Sequence, residues 1–288
     1  MSDDILWLSA RDLADRIADR TLSPIEAMAA TLARAETVQA ACNAFVTIDG
    51  ERAMDAARAA ERVVQAGGPL GPLHGVPLSV KDLCNTGGLR TTFGSLAYKD
   101  NVPDADCVAV ARLRAAGAIV FAKTTTPEFG HKPLTEAPLF GRTLNPWDRT
   151  RTPGGSSGGS GVAVACGVGP IAVGTDGGGS TRIPAAACGV VGMKQTLGVV
   201  PHDQTPDVFG LLAYVGPMTR TVGDAGLMLA AMAGPHASDP HSLGRNLQGL
   251  GEAARTPLDL RGVKIGWRLR MGNAAVDHET AAAFEASL

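Results

Sequence analysis

Pro153-Gly154-Gly155-Ser156-Ser157-Gly158-Gly159-Ser160-Gly161 is followed closely by Gly174-Thr175-Asp176-Gly177-Gly178-Gly179-Ser180-Thr181-Arg182. Glycine lets a backbone approach another molecule closely and adopt conformations closed to other residues. Serine supplies a hydroxyl that can attack a carbonyl once something takes its proton. The two segments therefore pose one question, which is what residue removes that proton.

From Thr152 to Met193 the only charged residues are Asp176 and Arg182, on either side of Ser180. Charges in an otherwise apolar stretch are expected to pair, and the plain reading is a structural ion pair holding a glycine loop. Lys81 ends the run Val76-Pro77-Leu78-Ser79-Val80, a short apolar strand. On spacing alone an exposed strand-end lysine is the commoner outcome. A lysine buried without a partner would instead lose affinity for its proton and become a base near neutral pH. Asp82 would point to the opposite face of an extended strand, so it need not neutralise Lys81.

Other chemistries fit less well. His74, His131, His202, His236, His241 and His278 are isolated, and none sits in a metal-binding helical spacing. Gly154-x-Ser156-x-Gly158 matches a nucleophile elbow, but that motif must follow a buried strand, and here it follows Pro146 to Pro153. No Walker-type phosphate loop is present.

The 288 residues are 45% hydrophobic and 19% charged, enough to bury a sizeable core, with 36 glycines and few aromatics. A net charge of −2 with scattered basic residues points away from nucleic acid and anionic membranes. Cys42, Cys84, Cys107, Cys166 and Cys188 are odd in number and widely spaced, which argues against a disulfide framework or a zinc site and for a reducing cytoplasm. No secretory pattern opens the sequence, and the uncharged stretch between Arg151 and Asp176 is too rich in Gly, Ser and Pro for a membrane span.

The periodicity predicts a helix after Ser9, a second from Ser23-Pro24 past Leu32, a strand over 44–48, and a helix over 51–65. A helix over 106–115 leading into the apolar run 118–122 is the unit of a sheet with covering helices, an α/β architecture. Residues 130–153, with Pro133, Pro138, Pro146 and Pro153, read as mostly loop. Further on, helix is expected over 224–233, a Pro/Gly-rich connection to about 258, a strand over Val263–Trp267 and a helix starting at Asp277. The chain stops inside that amphipathic helix without a capping signal and reads as cut.

Three stretches together closely resemble the amidase signature family: Leu73-His74-Gly75-Val76-Pro77-Leu78-Ser79-Val80-Lys81-Asp82; Asn145-Pro146-Trp147 with Thr152 to Ser160; and Gly174 to Ala185. They occur in that family's order, and the likeness runs from the N-terminal helices to Gly216-Pro217-Met218-Thr219-Arg220. Separations of 75 residues between Lys81 and Ser156 and 24 between Ser156 and Ser180 are also typical of it.

The resemblance implies a central mixed β-sheet covered on both faces by helices. It divides residues 1–288 into N-terminal helices (1–70), a catalytic core (71–235), and a connection with the start of a C-terminal part (236–288). It implies a Ser–Ser–Lys triad: Ser180 as nucleophile, Lys81 as base, and Ser156, after a cis Gly155–Ser156 peptide, as the proton bridge. Gly177, Gly178 and Gly179 would form the oxyanion hole, Asp176 and Arg182 would support it, and Gly130 would line the amide pocket. The implied activity is hydrolysis of a carboxylic acid amide through an acyl-enzyme, without metal or organic cofactor. Two alternatives stand beside it: the glutaminase subunit of a tRNA-dependent amidotransferase, and an inactive fragment or scaffold associating through an exposed sheet edge. A homodimer is the assembly expected of the amidase, partner subunits that of the amidotransferase.

Overall fold

The computed structural model describes residues 2–204, 212–244, 249–253, 256, 259–270, 272 and 275–288. The chain divides into two units, Met1–Thr256 and Pro257–Leu288.

In the first unit the elements run α1 (Ser2–Leu6), α2 (Ala10–Ala18), α3 (Pro24–Cys42), β1 (Phe45–Ile48), α4 (Gly50–Gln65), β2 (Pro77–Lys81), α5 (Val108–Ala115) and β3 (Ile119–Thr124). Then come β4 (Glu136–Ala137), β5 (Gly141–Arg142), α6 (Gly158–Ala165), β6 (Ile171–Asp176), α7 (Arg182–Cys188), β7 (Val191–Gly192), β8 (Tyr214–Thr219), α8 (Val222–Met232) and α9 (Leu250–Ala253).

Local chemistry accounts for the helix starts. Ser9 Oγ accepts the Asp12 N–H at 2.9 Å, and Ser23 accepts Ile25 N–H while its own N–H donates to Glu26 at 3.1 Å. Pro24 opens α3, where its missing N–H costs nothing. Helix α4 buries Ala53, Ala57, Ala60 and Val64, one stripe at helical spacing.

The main sheet has the order β1-β3-β2-β6-β8-β7. Strands β3, β2 and β6 are parallel, whereas β1, β8 and β7 run antiparallel to their neighbours. On one face Leu78, Val80, Val173 and Val215 pack against Leu13 and Ile17 of α2, Val110 and Leu113 of α5, and Met228 and Met232 of α8. On the other, α3, α4 and α6 meet Phe45, Ile119, Phe121 and Ala122, while Ala185 of α7 joins Val164, Ala172 and Met218. Because parallel strands need crossover helices on both faces, the central strands are buried and read as continuous apolar runs.

Helix α6 is apolar all round and buried from Gly158 to Val164. Its approach to the sheet is possible only because Gly159 has no side chain: a Cβ there would lie 2.4 Å from Thr125 N and 2.5 Å from the Ala44 carbonyl. This fit brings the first glycine–serine segment to the carboxyl ends of β2, β3 and β6, the end of an open α/β sheet where ligands bind.

The second unit contains α10 (His278–Ala286), capped by Asp277, with Trp267 and Phe284 in edge contact at 5.8 Å. The helix expected from Asp277 is therefore present. The strand expected over Val263–Trp267 is not: the segment has no ladder partner among the described residues, and Val263, Ile265 and Trp267 are exposed. A run of apolar residues without a neighbouring strand leaves its backbone groups to water. Part of the Pro/Gly-rich connection to residue 258 lies outside the described residues.

Candidate active site

Strand β2 ends in Lys81, which is fully buried. The register pairs Val80 with Lys123 and Lys81 with Thr124, so the two lysines point to opposite faces of the sheet. The exposed strand-end reading of Lys81 is thus corrected, because α6 and the loop preceding it cover the end of β2. The Lys81 ammonium donates to Ser156 Oγ at 2.7 Å and to Thr175 Oγ1 on β6 at 2.8 Å. Burial pulls its pKa from the ordinary 10.5 down to about 7, against the opposing pull of Cys84 and Asp176. Two neutral hydroxyls satisfy this amine while leaving its charge uncompensated.

Ser156 follows the cis Gly155–Ser156 peptide and is buried. Thr135 holds this loop from behind, donating to the Gly154 carbonyl at 2.8 Å and accepting the Gly158 N–H at 3.1 Å. Ser157 ties the two glycine–serine segments together. Its hydroxyl bonds the Thr175 carbonyl at 3.1 Å and the Thr175 N–H at 3.2 Å, and its own N–H donates to the Ser180 carbonyl at 3.1 Å. Thr175 and Ser157 were not among the residues singled out from the sequence. Strand alternation gives no signal for Thr175: the register pairs Val80 with Val173, which puts Thr175 on the face opposite Lys81, and the two side chains meet at the carboxyl ends of their strands.

Ser180 stands in the turn after β6, half-buried, beside exposed Gly177 and Gly178. Lys81, Ser156 and Thr175 meet through side chains, whereas Ser180 joins them through its backbone contact with Ser157.

Asp176 is buried and anchors that turn. It accepts the N–H groups of Gly179 (2.7 Å), Thr181 (3.1 Å) and Arg182 (3.3 Å), and a two-pronged contact from the Arg182 guanidinium at 2.9 Å for each prong. Burial alone would raise this carboxyl; the Arg182 guanidinium and the three N–H groups outweigh it and hold the pKa at about 2. The expected pair exists, but Arg182 is not a core charge, its side chain being 52% exposed. The Gly179 N–H is thus taken by Asp176. No acceptor among the described residues takes the N–H groups of Gly177, Gly178 and Ser180.

Gly130, with a left-handed φ of 69°, lies against Ser156; a Cβ there would come within 3.1 Å of Ser156 Oγ and 2.7 Å of Leu83. The neighbouring Phe129 is exposed and stacks on Phe93. Among the described residues no group of three or more His, Cys, Asp or Glu is arranged to hold a metal, the cysteines are free thiols, and no helix is long and apolar enough to cross a membrane.

Comparison with known proteins bears on the family and the fold. The Amidase family profile matches residues 26–288. An acylamidase of Rhodococcus erythropolis is 45% identical over 276 residues, covering 96% of this chain and 57% of the relative. A glutamyl-tRNA(Gln) amidotransferase subunit of Acidothermus cellulolyticus is 42% identical over 269 residues, covering 91% and 52%. The crystal structure of a bacterial aryl acylamidase of the amidase signature family superposes with a TM-score of 0.80 at 35% identity, over 84% of this chain and 50% of that one. The chain spans about half the length of the curated relatives it matches. Since the likeness reaches from the helices ahead of β1 through both glycine–serine loops, the chain belongs to the amidase signature family.

Proposed function

We propose that the chain carries the catalytic centre of an amidase, hydrolysing a carboxylic acid amide to the acid and ammonia or an amine through an acyl-enzyme. The observation that carries the reading is the buried Lys81 amine, its pKa held at about 7, in hydrogen-bond contact with Ser156 Oγ. A neutral Lys81 takes the Ser156 proton as Ser156 takes that of Ser180, and Ser180 Oγ attacks the amide carbonyl carbon. The negative charge that develops on the carbonyl oxygen is met by the N–H groups of Gly177, Gly178 and Ser180. As the C–N bond breaks, the proton held on Lys81 passes back through Ser156 to the leaving nitrogen. Water then adds to the acyl-enzyme, its proton returning to Ser180 by the same relay, and the acid departs.

In this reading Asp176 and Arg182 hold the oxyanion turn, and Gly130 leaves room for the amide beside Ser156. Ser180→Ala should lose all covalent labelling by a fluorophosphonate probe while its circular dichroism stays that of the parent; labelling that survives removes Ser180 as the nucleophile. The 42% identity to an amidotransferase subunit supports a second reading, a glutaminase that passes ammonia to partner subunits. Ammonia release from glutamine only when such subunits are added would favour it over hydrolysis of simple amides by the protein alone.

A further inference from the structure

Lys123 is as deeply buried as Lys81, and the proton relay leaves it without a task. Its ammonium donates to the Cys84 carbonyl and, at 2.8 Å, to Thr86 Oγ1. The groups that face it electrostatically are Asp82, Cys84, Cys107 and Asp106, and burial outweighs them, pulling its pKa down. Asp82, also fully buried, accepts Thr92 N–H at 2.9 Å, the Thr92 hydroxyl and Gly94 N–H at 3.3 Å. A charge placed so deep is costly, and an apolar side chain of similar size would be expected to stabilise as well or better.

The bonds around it show what the charge holds. Cys84 N–H donates to the Lys81 carbonyl at 3.0 Å, and Asp82 N–H to the Thr124 carbonyl at 3.0 Å. Lys123 therefore grips the carbonyl of a residue whose own N–H grips the backbone of Lys81. A second arm starts at the Asp82 carbonyl, which accepts Phe93 N–H at 3.0 Å, while the Phe93 carbonyl accepts Phe129 N–H at 2.8 Å. Phe129 precedes Gly130, the residue that lies against Ser156.

We propose that Lys123 is a positioning residue: from the far face of the sheet it fixes the turn from Asp82 to Thr86, and so sets where the Lys81 amine stands relative to Ser156. The proposal rests on Lys81 being the base. Loosening the turn would let water reach Lys81, whose other electrostatic neighbours are Cys84 and Asp176, and would return its titration toward that of a solvated lysine.

The test is the rate at which a fluorophosphonate labels Ser180, measured in the purified protein from roughly pH 5.5 to 10. Lys123→Met should slow labelling at neutral pH by about 10- to 100-fold, the usual cost of a displaced catalytic group, and move the midpoint of the rate–pH curve upward. Thr86→Val keeps the Lys123 charge and removes one of its acceptors, so it should move the midpoint the same way by less. Unchanged rates, or equal slowing at every pH with the midpoint unmoved, overturn the proposal. If Lys123→Met does not fold, an unmoved midpoint in Thr86→Val overturns it. Parent labelling that persists in Ser180→Ala sinks the underlying site reading as well, whereas Ser180-dependent labelling with an unmoved midpoint sinks the Lys123 assignment alone.

Discussion

Replacing Lys81 by Met should change how stability depends on pH, and the size of the change follows from the burial of one amine. In the unfolded chain Lys81 titrates at its ordinary 10.5, in the folded protein at about 7. Below pH 7 both states hold the proton, and the folded state bears the full cost of a buried charge. Between pH 7 and 10.5 the unfolded state binds more protons, so stability rises with pH by about 1.4 kcal/mol per unit, roughly 5 kcal/mol across the window. Lys81→Met lacks this slope. It also leaves the Ser156 and Thr175 hydroxyls short of a partner, at about 1–3 kcal/mol each, but that loss does not vary with pH. Urea unfolding of parent and variant should therefore show a stability difference that shifts in favour of the parent by about 3 kcal/mol between pH 7 and 9.5. A difference that stays flat over that range would mean that Lys81 titrates in the folded state as it does unfolded, and the base assignment would lose its physical ground.

Thr175→Val removes a hydrogen bond that favours the charged amine, so the midpoint of the rate–pH curve for Ser180 labelling should fall by about one to two units, the equivalent of 1.5–3 kcal/mol; a rise would contradict the assigned geometry. Asp176→Asn should slow acylation more than Arg182→Ala, because when the half-exposed guanidinium is removed the three N–H groups of the turn stay bound to the carboxylate. Its folded pKa of about 2 lies below the ordinary 3.8, so the support Asp176 gives is complete above about pH 4 and lost as pH falls through that interval; acid titrations of parent and Asp176→Asn should diverge there. Gly130→Ala puts a methyl group against Ser156 at a left-handed φ, and turnover of small amides should drop by roughly 10²-fold with little change in circular dichroism.

Much of the scaffold is written in local signals. Ser9, Ser23 and Asp277 sit where their side chains can cap helices, and the helix ends fall where those residues put them. The order and spacing of Lys81, Ser156 and Ser180 were readable as a pattern. The burial of Lys81 was not, since it depends on α6 and the loop before it, where Ser156 lies 75 residues away, and on the close approach of that segment to the sheet that Gly159 allows. Lys123 carries no such signal, because the apolar run that marks β3 stops one residue short of it, and only the pairing of Val80 with Lys123 places it opposite the site. Val263 to Trp267 shows the converse failure: an apolar run predicts a strand only where a neighbour exists to complete its ladder.

Strand β2 is paired on both sides along parallel neighbours, β3 and β6, and its side chains are buried from Pro77 to Lys81. In hydrogen-exchange terms its amides belong to the part of the molecule that opens only when the unit unfolds as a whole. The turn bearing Ser180 has no strand ladder, is held by Asp176 and exposes Gly177 and Gly178, so its amides are expected to exchange sooner than those of β2. Lys81 and Ser180 thus stand on elements of different stability, so an opening confined to that turn would move Ser180 while leaving the strand that carries Lys81 paired on both sides.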